Sequence, residues 1–88
     1  MKEWTKIFKA LANENRLYIL RLLAKDGELS VKTICHKLDL GVKLVSKHLS
    51  ILSHLNFVEG HGKLGSVWYR IHPTVRSEVK YIISRFLR

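Results

Sequence analysis

The chain has 88 residues, one cysteine and 16 Lys+Arg against 7 Asp+Glu, a formal net charge of +9. That length allows one domain, residues 1–88, with a core small enough that a partner subunit would usefully enlarge it. A lone cysteine excludes an intrachain disulfide, no apolar run is long enough to span a bilayer, and Met-Lys-Glu-Trp lacks the apolar segment of a secretory signal, so the expected setting is the reducing cytoplasm. The cationic excess favours a polyanion, nucleic acid before an anionic membrane face, and carries no information about fold.

In chain order, Trp4, Ile7, Phe8 and Leu11 recur at i, i+3, i+4 and i+7, which predicts a short amphipathic helix from Lys2 to Ala12. Two large aromatics this near a terminus lose about 1.5–3 kcal/mol each if left in water, so they are expected to pack on the domain or on another chain. Asn13 is a good N-cap and Glu14 suits the positive end of the helix that follows. Leu17, Ile19, Leu20, Leu22, Leu23 and Ala24 make that second helix apolar around most of its circumference, as a central core helix should be. Gly27 supplies the positive-φ residue that ends it.

Ser30 caps a third helix, Val31 to Leu38, and Leu38-Asp-Leu-Gly41 reads as a tight turn. The fourth helix fades at Asn56. It places Val45, Leu49, Leu52 and Leu55 on one side and Lys43, Lys47, Ser50 and His54 on the other, with Ser46 at the edge of that polar face and no acid on it. Two short helices, the second with a cationic and hydroxyl-bearing outer face, form a helix-turn-helix pattern suited to a nucleic-acid groove. The competing reading of this stretch alone is a solvated lysine face on an ordinary bundle helix.

Beyond it, Phe57-Val-Glu-Gly60 and Val67-Trp-Tyr-Arg-Ile71 read as strands joined by the glycine-rich turn His61-Gly-Lys-Leu-Gly65. Pro73 fits the first turn of a last helix, where Val75, Val79, Ile82 and Phe86 form a stripe with Ile83 and Leu87 alongside. The predicted architecture is mainly α with a small β-hairpin, in the order α-α-α-α-β-β-α. That is a winged helix-turn-helix with the hairpin as wing. Trp4, Ile7 and Phe8 with Val75, Val79, Ile82 and Phe86 carry more apolar surface than one small core can cover, which predicts a homodimer through the first and last helices.

Three stretches resemble the ArsR family of bacterial and archaeal repressors. Leu11-Ala-Asn-Glu-Asn-Arg-Leu-Tyr-Ile-Leu-Arg-Leu-Leu23 is similar to the family's opening motif, Leu44-Val-Ser-Lys-His-Leu-Ser-Ile-Leu52 to its recognition helix, and Trp68-Tyr-Arg-Ile71 to its closing wing strand. The resemblance implies a homodimer on operator DNA. Glu28-Leu-Ser-Val-Lys32 lies where metal-sensing members carry Glu-Leu-Cys-Val-Cys, so Ser30 and Lys32 stand in place of both thiolates. A hydroxyl and an ammonium do not hold a soft metal as thiolates do. In the last helix region His72 and Glu78 do not complete a tetrahedral set. No metal or cofactor is expected from the sequence, and nothing in it nominates an inducer, which is unknown or absent.

The expected DNA contacts are Lys43, Ser46 and Lys47 in the first turns of the recognition helix, with Ser50 and His54 further along it, although plain surface is the simpler reading of His54, as of His36. Val42 and Leu44 can touch thymine methyls, or Leu44 can be core. His48 either packs at the core boundary or donates to a phosphate. Lys32 near the turn and Lys63 at the wing tip, with His61, are phosphate candidates against a reading of solvated charge. Cys35 is expected to be a small buried residue on the core side of the third helix rather than a redox sensor, lacking a resolving cysteine in the chain. The function expected is a DNA-binding transcriptional regulator, a repressor on an inverted-repeat operator. The alternative is an architectural or weakly specific DNA binder, since few polar side chains are left to read bases. A protein-interaction module is disfavoured by the outward lysines. An enzyme is disfavoured too, because no nucleophile–base pair, phosphate loop or metal cage can be picked out.

Overall fold

The computed structural model describes residues 1–87. Five helices and three strands follow in the order α1 (Lys2–Leu11), α2 (Glu14–Asp26), β1 (Leu29–Ser30), α3 (Val31–Leu38), α4 (Val42–His54), β2 (Val58–Lys63), β3 (Ser66–Ile71) and α5 (Ser77–Phe86). Side chains dictate the starts of α2 and α3. Asn13 accepts a hydrogen bond from the Arg16 amide at 3.1 Å, and the Ser30 hydroxyl accepts from the Thr33 amide at 3.1 Å. Asp39 sits in the left-handed region at φ 53°, ψ 49° and closes α3.

The core gathers one face from each helix. Ile19, Leu20 and Leu23 of α2, Ile34 of α3, and Val45, Leu49 and Leu52 of α4 are fully or almost fully buried. Phe57 and Val58 close the core below the wing, and Val79 and Ile83 of α5 pack against it. At about 1.5–3 kcal/mol per buried side chain, this cluster is the main force fixing α4 relative to α2 and α3.

Three features differ from the sequence expectation, the first being that His61, Gly62 and Lys63, expected in the turn, lie in β2. The hairpin is part of a three-stranded antiparallel sheet, order β1-β3-β2, in which Leu29 pairs with Tyr69 and Ser30 with Trp68. The last helix begins at Ser77, not around Pro73. The ring of His72 explains the delay: its Nδ1 accepts from the Thr74 amide at 3.1 Å while its carbonyl accepts from the Val75 amide at 3.0 Å. Pro73 therefore occupies a turn that its fixed φ suits, and helix starts only beyond it.

Candidate nucleic-acid interface

The face of α4 that the core leaves free is the polar one. Val45, His48, Leu49 and Leu52 point inward, whereas Lys43, Ser46, Lys47, Ser50 and His54 are exposed. Lys43, Lys47, Ser50 and His54 stand at i, i+4, i+7 and i+11, one stripe along a helix that rises about 1.5 Å per residue. The His54 Nδ1–H donates to the Ser50 carbonyl at 2.8 Å, which holds that ring along the helix. Among the described residues neither Lys43 nor Lys47 has a carboxylate within ion-pairing distance, and the same holds for Lys32 on α3.

The first turn of α4 adds to this field. Gly41 provides no side-chain cap and no acid occupies the turn, so the leading amides present their partial positive charge beside Lys43. Val42 and Leu44 also face solvent there, at 63% and 39% exposure. Leu44 is thus not core.

His48 does not belong to this surface. It is 5% exposed and turned toward α2, where the Arg16 Nη1 donates to its Nδ1 at 3.2 Å. A guanidinium offers only donors, so the ring proton is on Nε2, which is buried without a protein partner among the described residues. Burial, with Arg16 and Lys47 nearby, holds the imidazole below its ordinary pKa and keeps it neutral. The phosphate-contact reading of His48 is therefore replaced by a positioning one. Arg16 also donates through Nε to the Ala10 carbonyl at 2.7 Å and through Nη2 to the Lys9 carbonyl at 3.2 Å. One side chain thereby ties the end of α1 to the middle of α4. Sequence inspection missed this pair because its members lie 32 positions apart and neither has a local pattern.

The wing is charged but largely self-neutralised. Lys63 approaches Glu28 at 3.2 Å and lies over the Trp68 ring at 4.8 Å, and His61 Nε2 is 3.3 Å from the same glutamate. Arg70 donates to Glu59 at 2.7 Å. Lys63, expected as a phosphate contact from its place at the tip, is thus paired with Glu28 in the DNA-free chain. Gly60 opposes Tyr69 across the hairpin, and a β-carbon at Gly60 would meet the tyrosine ring at 2.6 Å. The ring lies on the glycine, which fixes the wing's twist.

The terminal helices divide the expected seam. Ile7 and Val79 are already covered within one chain, at 2% and 0% exposure, and cannot form its outer surface. Phe8 and Phe86 are 60% and 73% exposed, while Trp4, Val75 and Ile82 are half-buried. Trp4 packs against Phe8 in a tilted pair with ring centroids 5.9 Å apart, and the Arg76 guanidinium lies over the Trp4 ring at 4.7 Å.

At the position of the family's thiolates the hydroxyl of Ser30 is committed: it caps α3 and donates to the Thr33 hydroxyl at 2.9 Å. Among the described residues no three His, Cys, Asp or Glu side chains cluster as a metal site would require. Among them too, no helix is long and apolar enough to cross a membrane.

Known proteins share this arrangement. The sequence model described as bacterial regulatory protein, arsR family, matches residues 13–59, from the cap of α2 into β2. The chain is 34% identical over 83 residues to the arsenical resistance operon repressor of Escherichia coli, covering 94% of this chain and 71% of that protein. It is 38% identical over 77 residues to the transcriptional activator HlyU of Vibrio cholerae, covering 88% and 68%. A solved homodimeric winged helix-turn-helix DNA-binding domain from Mycobacterium bovis superposes with a TM-score of 0.80 at 30% identity, covering 94% of this chain and 73% of that one. Other curated relatives are longer, and the chain spans 54% of their length.

Proposed function

This chain belongs to the arsR family of bacterial regulatory proteins, and from that premise we propose that it is a homodimeric repressor of an inverted-repeat DNA site. Each subunit lays α4 in a major groove, and the two-fold axis sets the grooves about 34–36 Å apart. The observation that carries this reading is the α4 stripe itself: two lysines without acidic partners, two hydroxyls and an uncapped helix start, all on the one face the core leaves open. Lysine suits guanine N7 and O6, serine suits several base edges, and Val42 and Leu44 suit thymine methyls. Lys32 supports a phosphate contact beside the groove. The exposed Phe8 and Phe86, with half-buried Trp4 and Ile82, supply the apolar surface for pairing α1 and α5 with those of a second copy.

The metal chemistry in the E. coli relative's name does not transfer to the same position here. Ser30 is occupied as a cap and Lys32 bears a positive charge, so neither is a thiolate equivalent. The repressor assignment follows the E. coli relative and rests on α4 covering promoter DNA; HlyU shows that the family also contains an activator.

A second reading, an architectural or weakly specific DNA binder, is favoured by one observation. The first turn of α4 exposes Val42 and Leu44 where hydrogen-bonding readers would otherwise stand. Competition separates the two. With a labelled duplex recovered by selection, a specific regulator resists roughly a thousandfold excess of random duplex, whereas an architectural protein is displaced at parity. Sedimentation at micromolar concentration is expected to give a dimer, and a plain monomer contradicts the paired-groove proposal.

A further inference from the structure

A groove of about 850 Å³ runs between α2 and α5, on a different side of α5 from the exposed Phe86 and the half-buried Ile82. At 100° per residue, Lys80, Ser84 and Leu87 share one face of that helix, with Ile83 beside them, and Ile82 and Phe86 another. The groove's floor is hydrocarbon: Leu22, Leu38, Ile71, Ile83 and Leu87. It joins the central helix to the turn end of α3 and to the last residue of the wing strand. The rim is cationic, formed by Arg21, Lys25 and Lys80. Among the described residues none of the three has a carboxylate within 4 Å; Arg21 lies instead over the Tyr18 ring at 5.1 Å. No acid lines the groove among the described residues, and Asp26, next to Lys25 in sequence, is directed to Lys37 at 3.8 Å.

We propose that this groove is a binding site for a small amphiphilic anion, a carboxylate with a hydrocarbon tail. Two features of the site select that class. The groove has the volume of a small-molecule pocket, for which about 300–1,000 Å³ is typical, and its apolar floor takes a hydrocarbon tail out of water. Three cations without acidic partners around its mouth leave a positive potential that an anionic headgroup neutralises, while a cationic headgroup is repelled. A neutral hydrocarbon gains the floor and forgoes the rim. Ser84, whose hydroxyl is turned back to the Tyr81 carbonyl at 3.0 Å, leaves room at the wall rather than competing for the headgroup. The site is separate from the α4 stripe and stands whether or not the DNA proposal does.

Calorimetric titration of the whole chain with decanoate, below its micelle concentration, tests this. The expected result is saturable binding of one decanoate per chain, with decyltrimethylammonium binding at least about tenfold more weakly. Lys25→Ala/Lys80→Ala weakens decanoate by a similar factor, and Ser84→Trp, which fills the groove from an exposed position, abolishes it. Lys6→Ala/Lys9→Ala, an equal loss of charge on α1, leaves the affinity unchanged. Circular dichroism of each variant is required to match the parent. Absence of saturable binding overturns the proposal. So does a loss shared equally by the α1 variant, which would mean attraction to net charge alone. Undiminished binding to Ser84→Trp overturns it as well, and a dimer that dissociates in Ser84→Trp would assign the groove to a second copy instead.

Discussion

The recognition helix and the wing both carry cations, yet they use them differently. On α4, Lys43 and Lys47 project from a face without acids. In the wing, His61 and Lys63 share Glu28, and Arg70 is held by Glu59. A count of charges along the sequence would assign the two regions similar roles. The geometry instead leaves the α4 cations without acidic partners and makes the wing a braced element whose charge is mostly cancelled locally, so on the proposed function α4 is the main source of electrostatic affinity. Exposed pairs of the wing type contribute little to stability, about 0–1 kcal/mol, so their larger effect is on the field that DNA meets.

The largest expected effect comes from removing the free cations. Lys43→Ala/Lys47→Ala should weaken duplex binding by at least about tenfold and lower the slope of log K against log salt by nearly two, at about 0.9 per phosphate contact. Fluorescence anisotropy over a salt series measures both. Lys63→Ala should change the slope far less, and equal slopes for the two variants would break the contrast between helix and wing.

Next in size is the brace itself. Gly60→Ala pushes a β-carbon into the Tyr69 ring and is expected to cost about 1–3 kcal/mol in urea unfolding, as overpacking does elsewhere. A neutral result would mean that the ring is free to leave the hairpin. Smaller still, Glu28→Gln releases Lys63 and His61. It should strengthen duplex binding a few-fold and steepen the salt slope by up to about one. Weaker binding would show that Glu28 organises the wing for DNA rather than masking it.

The smallest effect sits beneath α4. His48 is neutral in the fold and has a depressed pKa, whereas in the unfolded chain it titrates near 6.5. The unfolded state therefore takes up the proton first. The stabilising contribution of neutral His48 is complete above about pH 6.5 and is lost as pH falls below it, by at most about 1.4 kcal/mol per pH unit. Urea melts at pH 7.5 and 5.5 should show this slope in the parent and a shallower one in His48→Gln. Identical slopes would remove His48 as the cause.

What was legible in the sequence was what is local. The α4 faces follow from a 3.6-residue period, and Asn13 and Ser30 announce their caps within three residues. β1 was not legible, because a two-residue strand has no period and its pairing with β3 lies some 40 positions away. The start of α5 depends on the His72 ring turning back on Thr74, which no propensity records. The candidate site divides in the same way. Lys43, Ser46, Lys47, Ser50 and His54 were placed on the open face by spacing alone, whereas the fates of His48 and Lys63 were set by Arg16 and Glu28, distant in sequence. Of the expected seam, Ile7 and Val79 were indistinguishable from their exposed neighbours until α2 covered them.

Selection of bound sequences from a random DNA pool tests the central proposal most directly, since it reports specificity, symmetry and spacing together. The account predicts an inverted repeat whose half-sites are centred about one helical turn apart. Recovery of unrelated sequences, or of a single unpaired half-site, would contradict it.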